Sequence, residues 1–196
     1  MSKASVDVRD KRVLLIENNQ MMRRLVRDML LNFRIQQHNI VEVDHIDDAL
    51  EVIYSRPFDI VITDFALGDV DAADFARHVR ADANCLNRKT PILLITATPN
   101  HEKVLKALEA GVNEVLAKPI APSALFFRIV SIWSRPRPFV VSASYIGPSR
   151  SVQRLESIER LSSSAIRRRE WRSVYRGTVT YPEAQKRKIN PDPFLL

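Results

Sequence analysis

Five short runs of β-branched and aliphatic residues punctuate the first 134 positions, at 13–16, 40–43, 60–63, 92–96 and 112–116. The middle three are apolar at both alternating sets of positions, in or near the run, which predicts strands covered on both faces. Asn113 and Glu114 interrupt the fifth run and make it the weakest. Between the runs, apolar residues switch to helical spacing. In 20–33, Met22, Leu25, Val26, Met29, Leu30 and Phe33 form one stripe that predicts a core-facing side. Arg23, Arg24, Arg27 and Asp28 fall on the side expected to face water. Residues 47–55 carry Leu50 and Ile53 on one side and are followed by Pro57, and residues 71–81 carry Phe75 and Val79. Residues 101–110 present Val104, Leu105 and Leu108, then stop at Gly111, a natural helix-ending glycine. Residues 122–133 are more apolar and open with Pro122, which suits a first helical turn.

Five strands alternating with five helices specify an α/β domain, a doubly wound parallel sheet covered on both faces. Ligands of such sheets bind beyond the carboxyl ends of the strands. The pattern changes at Ser134-Arg135-Pro136-Arg137-Pro138, where two prolines stop helical propagation. Residues 139–145 are expected to run extended. Val152, Leu155, Ile158 and Leu161, spaced by three, suggest a short amphipathic helix before a serine- and arginine-rich stretch that includes Arg167, Arg168 and Arg169. The expected plan is therefore a domain over 10–134 and a basic tail over 135–196, much of the tail disordered until something binds it.

Composition sharpens this picture. Hydrophobic residues make up 45% of the 196, enough for a sizeable core. A lone cysteine, Cys85, forms no intramolecular disulfide, and its expected role is structural. The polar N-terminus lacks the apolar segment of a signal peptide, and no apolar run approaches the roughly 18 residues of a membrane span. A cytoplasmic protein is the expectation. The formal charge of +7 is unevenly spread: residues 1–134 carry 17 Lys and Arg against 18 Asp and Glu, and residues 135–196 carry 13 against 5. Any attraction to polyanions or acidic partners is expected to lie mainly in the tail.

The chemistry-bearing residues lie just past the strand ends. Glu17 and Asn18 follow the first run, Asp64 the third, Thr96 closes the fourth and Lys118 follows the fifth. Taken singly, each has an ordinary structural role: Asp64 as a turn aspartate, Thr96 as a strand former, Lys118 as a surface lysine. Asn19 reads as a helix cap. An acid directly after a hydrophobic strand, as Glu17 is, seldom helps folding. His38, His45, His78 and His101 show no metal-ligand spacing. Phosphate-binding loops, dinucleotide fingerprints and nucleophile elbows are absent.

Together the segments Val13-Leu14-Leu15-Ile16-Glu17-Asn18, Ile62-Thr63-Asp64, Leu94-Ile95-Thr96-Ala97 and Lys118-Pro119 resemble the receiver domains of two-component signalling. The resemblance covers about residues 10–134. Each motif is weak alone; in register with five strand–helix units they are specific. The resemblance implies a flavodoxin-like strand order 2-1-3-4-5 and a cis peptide at Pro119. It implies that Asp64 accepts a phosphoryl group from a histidine kinase or phosphotransfer protein. It further implies Mg²⁺ held by Glu17, Asn18, Asp64 and the Ala66 backbone carbonyl, with Lys118 and Thr96 on the phosphoryl oxygens. Movement of Thr96 toward the phosphoryl group would reshape the face built by the fourth helix, fifth strand and fifth helix. Such a protein is no enzyme beyond Mg²⁺-dependent self-phosphorylation.

Three positions depart from the family pattern. Asn18 stands where a second acid is usual, which predicts weakened Mg²⁺ binding. Val115 occupies the place of the aromatic switch residue, and Gly68 a place where proline is common. The expected function is a response regulator that relays phosphorylation by protein contact to a downstream protein. The alternatives are a non-phosphorylated receiver acting as an interaction scaffold, and a regulator that associates with nucleic acid through its tail. Receivers also pair through the fourth and fifth helices, so a homodimer is among the expected assemblies.

Overall fold

The computed structural model describes residues 7–68 and 70–150. The amphipathic helix expected near 152–161 and the arginine-rich stretch beyond it lie outside the described residues. Five parallel strands, β1 (Val13–Ile16), β2 (Ile40–Val43), β3 (Ile60–Asp64), β4 (Ile92–Thr96) and β5 (Glu114–Ala117), form one sheet in the order β2-β1-β3-β4-β5. Five helices connect and follow them: α1 (Gln20–Asn32), α2 (Ile46–Ser55), α3 (Ala72–Ala81), α4 (His101–Glu109) and α5 (Pro122–Ser134). The doubly wound α/β fold and its strand order are those expected.

The ends of the helices follow from local chemistry. The Asn19 side chain accepts the Met22 N–H at 3.0 Å and caps α1, as the sequence suggests. Asp71 accepts from Ala73 and Asp74 at the start of α3, and Asn100 from Lys103 at the start of α4. Gly111 follows α4 with φ +89°, a conformation that costs glycine nothing. One face of the sheet, including Val13, Leu15, Ile60, Ile62, Leu93 and Ile95, packs on Val26, Met29 and Leu30 of α1 and Leu125, Ile129 and Ile132 of α5. Strand alternation and right-handed crossovers leave the other face to α2, α3 and α4.

Three expectations need correction. Of the three middle runs, β3 and β4 are buried but β2 is not: it is the edge strand, and Glu42 on it faces Arg23 and Arg27. β1, flanked on both sides, is buried throughout as well. A run's own composition cannot report its place in the order, because neighbours do the burying. The fifth strand begins at Glu114, and the residues that interrupt its pattern are those with partners. Asn113 Oδ1 accepts the Ile92 N–H at 3.1 Å, and Glu114 pairs with Arg128 at 2.8 Å and Arg137 at 2.7 Å.

The third correction concerns where the compact unit ends. It runs on to Ser149, so the expected boundary at 134 falls inside it. Residues 139–145 do not form one extended run. Phe139–Val141 (β6) turns back and pairs antiparallel with Ile146–Pro148 (β7). This hairpin seats on the buried Arg80, whose guanidinium carbon lies 5.6 Å from the Phe139 ring centroid. Arg80 also donates to Gly111 O, Arg88 O and Asn113 Oδ1 at 2.6–3.3 Å. Burial pushes its pKa down to about 10, still a protonated guanidinium at neutral pH.

Candidate functional site

The carboxyl ends of β1, β3, β4 and β5 converge on one edge, because parallel strands in register end together. The Lys118 ammonium donates to Glu17 Oε2 at 2.9 Å and to Asp64 Oδ2 at 3.0 Å. Residues 101 and 54 positions apart thus share one nitrogen. The Lys118 backbone N–H donates to Thr96 O at 2.8 Å, which ties the β5 end to the β4 end. The Thr96 hydroxyl oxygen accepts the Thr98 N–H at 3.3 Å and is buried. Lys118–Pro119 is a cis peptide.

Each anion has further support. Glu17 is 3% exposed, and its Oε1 accepts the Asn19 N–H at 3.1 Å. Asp64 Oδ1 accepts the Phe65 N–H at 2.8 Å. Burial works against the Lys118 charge, but its hydrogen bonds to Glu17 and Asp64 outweigh it and hold its pKa above the ordinary lysine value. The ammonium therefore stays charged and balances one of its two carboxylates.

The remaining oxygen donors suit a hard cation. Asn18 is exposed just past β1, and Ala66 is exposed two residues beyond Asp64, in a short antiparallel pairing with Asp71. Among the described residues, no group of three or more His, Cys, Asp or Glu gathers anywhere. Two carboxylates with an amide and a backbone carbonyl still fit Mg²⁺, which keeps several waters and uses one or two carboxylates. Val115, three residues before Lys118, is buried in β5.

Arg23 is the residue that sequence reasoning misjudged. Expected in water, it turns back and donates Nη1 to the Glu17 backbone carbonyl at 2.6 Å. Its other nitrogens lie 3.8 Å from Glu42 and 3.6 Å from Asp44. It thereby braces the turn that presents Glu17. Helical spacing places Arg23 on the outer side of α1, and only the packing of α1 beside the β2 edge makes that side inner.

A family model described as response regulator receiver domain matches residues 13–130. The chain is 29% identical over 124 residues to the chemotaxis protein CheY of Pseudomonas aeruginosa, covering 63% of this chain and 97% of that protein. To CheY-3 of Vibrio cholerae it is 28% identical over 127 residues, covering 65% and 95%. Among solved structures, the receiver domain of a sensor histidine kinase from Pseudomonas aeruginosa, with magnesium coordinated in its active-site cleft, superposes with a TM-score of 0.55 at 27% identity, covering 63% of this chain and 97% of that one. Among the described residues, no helix is long and apolar enough to cross a membrane.

Proposed function

The chain belongs to the response regulator receiver family, and from that premise we propose that it accepts a phosphoryl group on Asp64 from a histidine kinase or phosphotransfer protein. It then passes the signal on by contact with a downstream protein. The observation that carries this reading is the Lys118 ammonium bonded at once to Glu17 and Asp64. A part-buried lysine between two acids adds little to stability once desolvation is counted, which favours a chemical role for the cluster.

Phosphoryl transfer demands mostly positioning and charge neutralisation. A carboxylate oxygen of Asp64 forms the bond to phosphorus as the bond from phosphorus to the donor's leaving nitrogen or oxygen breaks. The Phe65 N–H and Lys118 hold the carboxylate in one orientation before attack. Lys118 then pairs with a phosphoryl oxygen. The Thr96 hydroxyl, whose oxygen already accepts from Thr98, has its proton free to donate to another. Glu17, Asp64, Asn18 and the Ala66 carbonyl would hold Mg²⁺, which supplies further neutralisation of phosphoryl charge.

The test is intact mass after treatment with acetyl phosphate, with and without Mg²⁺. A gain of one phosphoryl group that needs Mg²⁺ is expected. No gain at saturating donor and Mg²⁺ would favour the scaffold reading, for which Asn18 in place of a second acid is the specific argument. The same assay measures the cost of that asparagine. Two unit charges about 4 Å apart at an effective dielectric of 20 interact by roughly 4 kcal/mol, and desolvation offsets much of it. Asn18→Asp is expected to lower the Mg²⁺ concentration for half-maximal labelling by about tenfold, the equivalent of roughly 1.4 kcal/mol. An unchanged Mg²⁺ requirement would mean that position 18 does not reach the metal.

A further inference from the structure

Among the described residues, Lys103, in the first turn of α4, is a cation with only uncharged partners. Its ammonium donates to Thr98 Oγ1 at 2.8 Å and lies 5.2 Å from the Phe65 ring centroid. Both partners belong to the Asp64 edge. Phe65 follows Asp64 and donates its N–H to that carboxylate, while the Thr98 N–H donates to the Thr96 hydroxyl oxygen. The ammonium thus stands between the turn that follows Asp64 and the loop that follows Thr96.

Folding gives little reason for a charge there. The Lys103 backbone N–H is capped by Asn100 Oδ1, which fixes the residue at the positive end of the α4 macrodipole, an unfavourable place for a cation. Among the described residues, no carboxylate lies within 4.0 Å of its ammonium. Its neighbours differ: Lys106, one turn on, is held by Asp71 and Asp74, and Lys118 by Glu17 and Asp64. The ammonium has three donors on a flexible four-carbon stem, and Thr98 uses one of them. Among the described residues, what the position lacks is an anion.

We propose that Lys103 is a second phosphoryl-directed cation, a positioning residue that draws the anionic phosphodonor to Asp64 and turns from Thr98 onto a phosphoryl oxygen. This rests on Asp64 being the phosphoacceptor. It separates two roles at one edge, with Lys118 orienting the nucleophile and Lys103 gathering the incoming group.

The test follows labelling rate against acetyl phosphate concentration at saturating Mg²⁺, in the full chain and in Lys103→Gln and Lys103→Arg. Glutamine removes the charge and keeps an N–H donor on a side chain one bond shorter. Lys103→Gln is expected to raise the half-saturating acetyl phosphate concentration roughly tenfold while the maximal rate stays within about twofold. Lys103→Arg is expected to restore the wild-type value. A role confined to holding the loop predicts the opposite, an unaffected Gln variant, and that result overturns the inference. Added salt should raise the wild-type half-saturation as screening sets in; a salt-independent value overturns the inference without any variant. If the wild-type chain takes no label, the Asp64 reading falls and this one with it; if it labels with equal half-saturation in all three chains, only the Lys103 role falls.

Discussion

Asp64→Asn is expected to abolish acetyl phosphate labelling altogether, while the fold survives. The carboxamide has nearly the same shape but a single oxygen, so it can accept from the Phe65 N–H or from Lys118 at its present place, not from both. What disappears is the nucleophile, since an amide oxygen does not form the acyl phosphate at neutral pH. Stability should fall by about 1–3 kcal/mol, because one of the two hydrogen bonds to residue 64 is lost while Glu17 still neutralises Lys118. Intact mass and a thermal melt on the same sample decide the matter. Label surviving in Asp64→Asn would move the acceptor elsewhere. Loss of label together with loss of cooperative melting would show only that the variant does not fold.

Arg80→Met is the substitution expected to cost the most stability. The guanidinium is 2% exposed and saturates the Gly111 and Arg88 carbonyls and the Asn113 side chain, with the Phe139 ring beside it. Methionine fills part of the volume but offers no donor, so the Gly111 and Arg88 carbonyls lose these bonds, while Asn113 Oδ1 keeps only the Ile92 N–H. Each unsatisfied acceptor costs about 1–3 kcal/mol, and the costs do not add fully. A total near 3 kcal/mol is expected, a large share of the 5–15 kcal/mol that holds a typical domain. The denaturation midpoint measures it. Amide exchange in β6 and β7 should rise with it, because the hairpin seats on this side chain. Arg80→Lys should recover only part of the loss, since a point ammonium cannot reproduce the planar fork. A midpoint within about 1 kcal/mol of wild type would mean that the buried charge costs as much as its bonds return.

How much of this was legible beforehand differs from residue to residue. Strand and helix periods gave every main-sheet strand and helix within a few residues, because periodicity reports which side of an element is covered. Glu17, Asp64, Thr96 and Lys118 could be singled out because each directly follows or closes an apolar run, and strand ends of a parallel sheet share one edge. Arg23, Arg80 and Lys103 could not. Each looks in sequence like an ordinary solvated cation on a helix, and what distinguishes them is the element that lies across from them. Residues 135–150 were similarly opaque. Two prolines correctly mark the end of α5 but say nothing of a hairpin whose seat is built by Arg80 and Gly111.

Local chemistry written into the chain was therefore sufficient for the strand and helix pattern, the capping of α1 by Asn19, the turn at Gly111 and the edge at which any chemistry must occur. Tertiary packing alone decided that β2 is the edge strand, that Lys118 bonds two carboxylates at once, and that Arg80 is buried under a hairpin. Covalent order fixes which residues are neighbours within about a turn, where capping and periodicity act. Burial, ion pairing and shared hydrogen bonds depend on distances between residues 30 to 100 positions apart, and those exist only once the sheet has brought its strands together.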